Sequence, residues 1–253
     1  MTSFRFLHCS DLHIDSPFRG ISSDQPKLAE KLRRSTLRAY QNIIQLALRE
    51  RVDAVVIAGD IYDSEDKSLQ AQLKFRQGLQ ELAEAGIPAF VAHGNHDPLN
   101  GWSATLDLPE TVRIFPGGEV TRLPVKRGGK PVAHVYGISY AQKEVTDNLA
   151  RKFQRDPGDE FAIGVLHANV GNNPDHLNYA PCSLADLVEA GMDYWALGHI
   201  HAHKVLRENQ PAIVFSGNPQ ARFHREAGEK GCCLVTLHSH SPPEVQFVPV
   251  DEV

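Results

Sequence analysis

Apolar runs punctuate this chain at intervals, and several stop at a polar residue able to bind a metal. Phe4-Arg5-Phe6-Leu7-His8-Cys9-Ser10 predicts a first strand ending at Asp11-Leu12-His13, followed by a polar loop through Asp15-Ser16-Pro17 and Ser22-Ser23-Asp24. Over residues 27–50 apolar positions recur at helical spacing: Leu32, Thr36, Leu37, Tyr40, Ile43, Ile44, Ala47 and Leu48. Residues 53–58 are too apolar on both faces for an exposed edge strand, and they end at Gly59-Asp60. A second helix is predicted over 69–85, with Leu69, Leu73, Leu79, Leu82 and Ala83 as its inner face and Gly86 as its stop. The run at 87–92 delivers Gly94-Asn95-His96-Asp97. Strand, helix, strand, helix, strand predicts an α/β fold with right-handed parallel crossovers.

The pattern then changes. Residues 112–115, 119–125 and 132–138 predict strands with hairpin-like connections through Pro116-Gly117-Gly118 and Arg127-Gly128-Gly129-Lys130-Pro131. Residues 143–152 predict a helix. Residues 161–166 predict a buried strand ending at His167, and 183–190 a short helix capped by Ser183. Tyr194-Trp195-Ala196-Leu197 is a further strand, ending at Gly198-His199-Ile200-His201, and strands follow at 212–215, 231–237 and 245–250. No internal repeat occurs, and 239–243 is the nearest approach to a linker, so residues 1–253 are expected to form a single domain.

Composition narrows the function classes. The chain is 42% hydrophobic and 23% charged, enough for one sizeable core. There is no apolar run of membrane-spanning length and no basic segment leading into an apolar one at the N-terminus. A cytoplasmic protein is therefore expected, with Cys9, Cys182, Cys232 and Cys233 as reduced, mostly buried thiols. The formal charge of −5 argues against nucleic-acid binding by bulk basicity, although bound cations would invert the local charge. Basic residues crowd positions 19–51, from Arg19 to Arg51, and the simplest reading is a solvated helix face.

The candidate chemistry lies at five run ends: Asp11 with His13, Asp60, Asn95 with His96, His167, and His199 with His201. Strand C-termini gather along one edge of a parallel sheet, where ligands bind. In an extended segment, side chains two apart point the same way, which suits Asp-x-His and His-x-His. Imidazole, carboxylate and amide oxygen without thiolate suit Mn²⁺, Fe or Zn²⁺. Seven donors exceed one four-coordinate ion and fit two ions sharing a carboxylate, the arrangement that clamps the attacking and leaving oxygens of a phosphoryl displacement. Any one of these residues alone would be read as a turn or hydrogen-bonded structural residue. His8 and His93 are expected in the core or behind the ligands, His203 beyond reach, and His134, His176, His238 and His240 outside any motif. Arg222 and His224 would either touch a phosphate or occupy a surface loop.

Asp11-x-His13, Gly59-Asp60, Gly94-Asn95-His96-Asp97, His167 and Gly198-His199-x-His201, in that order, resemble the signature of the calcineurin-like metallophosphoesterases. The stretches from Phe6 to Phe18, Tyr179 to Ser183, Asp193 to His201 and Ser216 to Arg222 further resemble bacterial DNA repair exonucleases of the SbcD type, in particular the YhaO-like branch. Ala221 stands where that branch would have glycine. The resemblance implies a two-sheet β-sandwich flanked by helices, in α-β-β-α layers. It implies one ion on Asp11, His13 and His201, another on Asn95, His167 and His199, and Asp60 bridging them. His96, oriented by Asp97, would serve the leaving oxygen or stabilise the transition state. Two divalent ions are expected, Mn²⁺ first and Fe or Zn²⁺ next. The implied activity is DNA phosphodiester hydrolysis in end processing and repair, with DNA as substrate and an SMC-like coiled-coil ATPase as partner. The C-terminal DNA- or partner-contacting region of such relatives is expected to be missing here. The same site would serve a phosphatase or cyclic-nucleotide phosphodiesterase. A non-catalytic scaffold is disfavoured because every ligand position is filled.

Overall fold

The computed structural model describes residues 2–18, 26–63, 68–101, 106–171, 177–226 and 228–251, so the predicted loop at Ser22-Ser23-Asp24, Arg19 and His176 lie outside the described residues. Two six-stranded mixed sheets carry the fold. The first has the order β12 (Ser241–Pro249), β11 (Gly231–His238), β1 (Ser3–Cys9), β2 (Ala54–Ala58), β3 (Ala89–Ala92), β4 (Val112–Ile114). The second runs β5 (Thr121–Arg127), β6 (Lys130–Gly137), β7 (Ala162–His167), β8 (Tyr194–Gly198), β10 (Ala212–Phe215), β9 (Lys204–Arg207). Within them β1 to β4 are mutually parallel, as are β6, β7, β8 and β10, while β11, β12, β5 and β9 run antiparallel to their neighbours.

The sheets face each other across a dry apolar layer. Phe4 and Phe6 of β1, Val56 of β2, Phe90 of β3, Val165 of β7 and Ala196 of β8 all point into it. The alternate residues Leu7, Cys9, Val55 and Ile57 point outward beneath α1 (Pro26–Glu50) and α2 (Leu69–Glu84), as a period of two requires for a strand buried on both faces. On the far side the second sheet is covered by α3 (Leu184–Glu189) and a 3-10 turn at Leu149–Lys152, with Phe153 against Trp195 and Leu187 in the same cluster. The expected sandwich flanked by helices is thus present. Ser183 caps α3 reciprocally with Asp186. Gly86 ends α2 with φ +74°, and Ile87 N–H returns to Leu82 O at 2.9 Å.

Several local expectations need correction. Only Leu149–Lys152 of the predicted 143–152 helix forms a helical turn, where Thr146, Asp147 and Asn148 favour irregular backbone. The 116–118 connection is not a hairpin, because β4 and β5 lie in different sheets; the β5–β6 connection is one. Leu79 and Leu82 are buried as expected, but Leu69 and Leu73 are exposed, and Ala71, Gln72, Phe75 and Gly78 complete the inner face of α2. Residues 239–243 are no linker but include the turn of the β11–β12 hairpin. Strand β9 is not predicted: three of its four residues are exposed, and Val205-Leu206 is too short an apolar pair to mark a strand.

All four cysteines are buried and unpaired, as expected. Among the described residues no helix is long and apolar enough to cross a membrane.

Candidate metal centre

The C-terminal ends of β1, β2, β3, β7 and β8 meet at one rim of the sandwich. Past Cys9 the chain runs beside the segment past β2: Asp11 N–H donates to Gly59 O (3.0 Å), His13 N–H to Asp60 O (3.1 Å) and Ile14 N–H to Ile61 O (2.9 Å). This register sets Asp11 and His13 beside Asp60. Asp11, His13, Asp60 and His199 all have positive φ, from 42° to 100°. Four non-glycine residues in the left-handed region at one site is backbone strain of the kind held at functional centres. The strand-end glycines serve close approach. A Cβ on Gly94 would stand 2.3 Å from Asp60 Oδ1, and one on Gly198 would stand 1.9 Å from Ala58 O.

The side chains form two halves around Asp60. In one, His13 Nε2 lies 3.3 Å from His201 Nε2, and His201 Nε2 lies 3.8 Å from Asp11 Oδ1. In the other, His167 Nε2 lies 3.0 Å from Asn95 Oδ1, and the His167 and His199 rings are 5.2 Å apart. Asp60 Oδ2 stands between them, 4.0 Å from His13 Nε2 and 3.3 Å from His167 Nε2. All seven residues predicted as ligands are therefore brought to one place.

The imidazole tautomers are set from behind. His167 Nδ1–H donates to Ala58 O (3.0 Å), His199 Nε2–H to Leu177 O (2.8 Å) and His201 Nδ1–H to Glu226 Oε1 (2.5 Å). Each bond makes the opposite nitrogen the lone-pair atom of the neutral ring, which His167 becomes only on losing its Nε2 proton. Burial, with Arg222 adding to it, lowers the pKa of His13 to about 4; burial and His167 lower His199 to about 4. Both are neutral at physiological pH, as a metal ligand must be. His167 goes the other way. Burial alone would lower it, but Asp60 and Asp11 carry it up to about 9. Asp60 itself is held well below the usual carboxylate range, its burial being outweighed by His167, His96 and His13.

These residues fit divalent cations. Asp11 and Asp60 are buried, and among the described residues their ion-pair partners are all histidines, with no lysine or arginine. Buried carboxylates are costly without compensating charge, and two ions would supply more of it than the His167 imidazolium does. Potential donor atoms of Asp11, His13 and His201 lie within 4.8 Å of one another, as do those of Asp11, Asp60 and His167. A third trio, His13, Asp63 and His96, is equally compact. Arg222 already pairs with its carboxylate, however, and disfavours a further cation there.

The partner of His96 corrects one expectation. Asp97 does not orient it. Asp97 accepts from Gly94 N–H (2.8 Å) and Ile61 N–H (2.9 Å) and contacts His93 Nδ1 (3.2 Å), closing its own loop. His96 Nδ1 instead lies 2.7 Å from Asp63 Oδ1, while its main-chain N–H donates to Asp60 Oδ1 (2.9 Å). Burial lowers the His96 pKa, but Asp63 and Asp60 outweigh it and the net shift is upward. Asp63 also stands 3.2 Å from His13 Nδ1, accepts from Ser16 Oγ (2.8 Å), and pairs with the Arg222 guanidinium. Arg222, only 6% exposed, is thus a buried partner of this carboxylate rather than a surface residue of its loop, whereas His224 is exposed.

The other histidines lie off the site. His8 is held between Tyr194 Oη (3.0 Å) and Leu197 O (3.2 Å) in the sandwich, and its pKa drops to about 3 through burial. His203 bonds Phe215 O (3.1 Å) and stacks on Phe247. His134 sits against Asp159 and His238 against Glu244. Of the residues that sequence reasoning missed, Asp63 carried a signal three positions after Asp60, and Glu226 carried none.

Residues 4–203 match the calcineurin-like phosphoesterase family, and that span includes every ligand position above. The chain belongs to the calcineurin-like phosphoesterases. This metallophosphoesterase is 39% identical over 235 residues to YhaO of Bacillus subtilis, an uncharacterized metallophosphoesterase, covering 93% of this chain and 58% of that protein. It is 24% identical to the DNA double-strand break repair protein Mre11 of Sulfurisphaera tokodaii, covering 99% of this chain and 64% of the relative. It is 25% identical to a subunit of the nuclease SbcCD of Bacillus subtilis, covering 88% of this chain and 63% of that relative. The chain therefore spans less than two thirds of these relatives. In fold it is similar to a dimetal phosphatase from Danio rerio, with a TM-score of 0.56 at 11% identity, covering 98% of this chain and 96% of that one.

Proposed function

We propose that this metallophosphoesterase is a two-metal phosphodiesterase that cleaves DNA, with Mn²⁺ as its working ion. Asp11, His13 and His201 would hold one ion and Asn95, His167 and His199 the other, with Asp60 shared. Bound there, the ions would supply Lewis acidity at the phosphoryl oxygens. The chain's own contribution is the proton. His96 is the ligand-adjacent imidazole that reaches the mouth of the site, with a side chain 33% exposed. With Nδ1 on Asp63, its Nε2 is the nitrogen offered to the leaving oxygen, and its raised pKa keeps it protonated to higher pH than free imidazole.

The observation that carries DNA over a small ester is the likeness in sequence across nearly the whole chain to proteins named for double-strand break repair and for nuclease activity. Likeness to the phosphatase is confined to the fold, at 11% identity. Cytoplasmic location and docking to an SMC-like coiled-coil ATPase belong to the same proposal, as does the assignment of 1–253 as one nuclease domain. The test is a side-by-side assay of a DNA duplex, a cyclic nucleotide and a phosphomonoester with Mn²⁺, Mg²⁺ and Zn²⁺ supplied separately. DNA cleavage, strongest with Mn²⁺, is expected. Turnover of only the small esters would make this a phosphatase or cyclic-nucleotide phosphodiesterase.

A further inference from the structure

Helix α1 carries six basic residues between Lys27 and Arg49 against Glu30 and Glu50, in a chain whose formal charge is −5. At 3.6 residues per turn, Lys27, Lys31, Arg34 and Arg38 fall within about 60° of arc. All four are exposed, while Thr36, Ala39, Ile43 and Ala47 on the other side of the helix are buried. The four cations form a ridge on the solvent face.

Helix stability does not account for this order of charges. The first turn has no acid and holds Lys27, although the helix dipole favours the reverse. Farther along the same face Gln41 and Gln45 are uncharged, and Arg49 is paired with Glu50 (3.3 Å). Within the ridge Arg34 pairs with Glu30 through Nε (2.7 Å), an exposed contact that water screens. The unbalanced charge is therefore confined to the first half of the helix.

That half is the one beside the metal rim. Arg33 pairs with Asp15 (2.8 Å) and Thr36 Oγ1 accepts from Asp15 N–H (2.9 Å), two residues past His13. Leu32 lines the same cavity as Glu226, which meets His201. Residues 32–36 thus stand against the rim, and the ridge occupies the same turns on the side facing water. At about 1.5 Å per residue the ridge is about 17 Å long, the length of about five base pairs at about 3.4 Å each. A row of cations of that length matches charges repeated along a strand, where a small ester would meet one of them.

We propose that the Lys27–Lys31–Arg34–Arg38 ridge of α1 is a docking surface for the phosphate backbone of duplex DNA, which it holds alongside the metal rim. This rests on the DNA reading above and adds to it where the duplex lies. Contacts of this kind position a duplex without reading its bases, so the docking is independent of sequence.

The test compares the wild type with a variant carrying Lys27→Gln, Lys31→Gln, Arg34→Gln and Arg38→Gln, a change that keeps good helix formers at every position. Anisotropy of a labelled duplex of about 30 base pairs, in EDTA and about 50–200 mM KCl, gives the slope of log K against log salt. At about 0.9 per phosphate contact, the slope should be shallower by about 3–4 in the variant. With Mn²⁺, KM for the duplex should rise about tenfold or more at the higher salt, while turnover of bis(4-nitrophenyl) phosphate is unchanged. Arg49→Gln with Arg51→Gln, at the other end of the helix, should leave the slope as it is. Thermal melting confirms folding.

An unchanged slope in the folded ridge variant would overturn the proposal in favour of an acidic protein partner. An equal effect of the Arg49 and Arg51 pair, or an equal loss on the small ester, would overturn it as well. If the fourfold variant does not fold, Lys31→Gln and Arg38→Gln should each lower the slope by about 0.9, and no change in either would overturn the proposal. A wild type that binds the duplex with the expected slope yet cleaves none of it with any of the three metals would instead overturn the nuclease reading and leave the ridge standing.

Discussion

Replacing His96 by alanine isolates one proton in the proposed reaction. The substitution removes the imidazole whose Nδ1 lies 2.7 Å from Asp63 Oδ1, but it keeps the backbone N–H that donates to Asp60 Oδ1. Asp63 retains Ser16, Arg222 and His13, so no buried charge is orphaned, and every metal donor stays where it was. Both ions should therefore remain bound. A well-placed general acid contributes about 10²–10⁴-fold, or about 2.7–5.4 kcal/mol at about 1.36 kcal/mol per tenfold. That contribution is needed only where the leaving oxygen is a poor one. The assay compares wild type and His96→Ala on DNA, whose leaving group is a sugar alkoxide, and on bis(4-nitrophenyl) phosphate, whose nitrophenolate departs without a proton. The expected loss in kcat is about 10²–10⁴-fold on DNA and no more than about tenfold on the nitrophenyl ester. With wild type, the raised His96 pKa should place the alkaline fall in activity above about 6.5, the ordinary histidine value. Equal losses on both substrates would refute the proton-donor assignment, and loss of metal would show that His96 is a ligand.

Metal binding should release a proton from His167, because the metal-free imidazole stays protonated below about pH 9 while a ligand must be neutral. Calorimetry near pH 7.5 in buffers of different ionisation enthalpy should find about one proton released, and affinity should rise up to about tenfold per pH unit toward pH 9; a buffer-independent enthalpy would refute it. His13 and His199, neutral above about pH 4, should release none. Gly198→Ala should cost about 3 kcal/mol or more, since its Cβ would stand 1.9 Å from backbone, whereas Gly86→Ala meets nothing within 4 Å and should cost only about 1 kcal/mol for its φ of +74°. Denaturant melts that rank the two the other way would refute the close-packed rim.

The sequence revealed the fold where strands are buried on both faces. β1, β2, β3, β7, β8 and β10 are apolar runs because each lies between the dry layer and a covering helix or loop cluster. Legibility failed where burial is nearly absent, as in β9. It failed differently in α2. The leucines at 69 and 73 predicted the wrong face because the neighbour, not the helix itself, sets the packing. Tyr40 of α1 presses onto α2 so closely that a Cβ at Gly78 would stand 2.5 Å from its Oη. That contact rotates Ala71, Phe75 and Gly78 inward and leaves Leu69 and Leu73 in solvent.

The same division explains the site. Its seven donors were visible because each lies at or just past the end of its strand, and a strand's end is written in the local pattern. The groups that hold those donors are not local. Glu226 reaches His201 across 25 positions, and Arg222 reaches Asp63 across 159, and nothing local in the sequence shows either partner. Adjacency in sequence misled where it was trusted most. Asp97 follows His96, yet a chain that turns this tightly sends the carboxylate back to Gly94 N–H, and the carboxylate that does meet His96 comes from the loop after β2. In this centre the sequence motifs specify what the ions would touch. The partners that orient those imidazoles sit behind them, and those only the fold assembles.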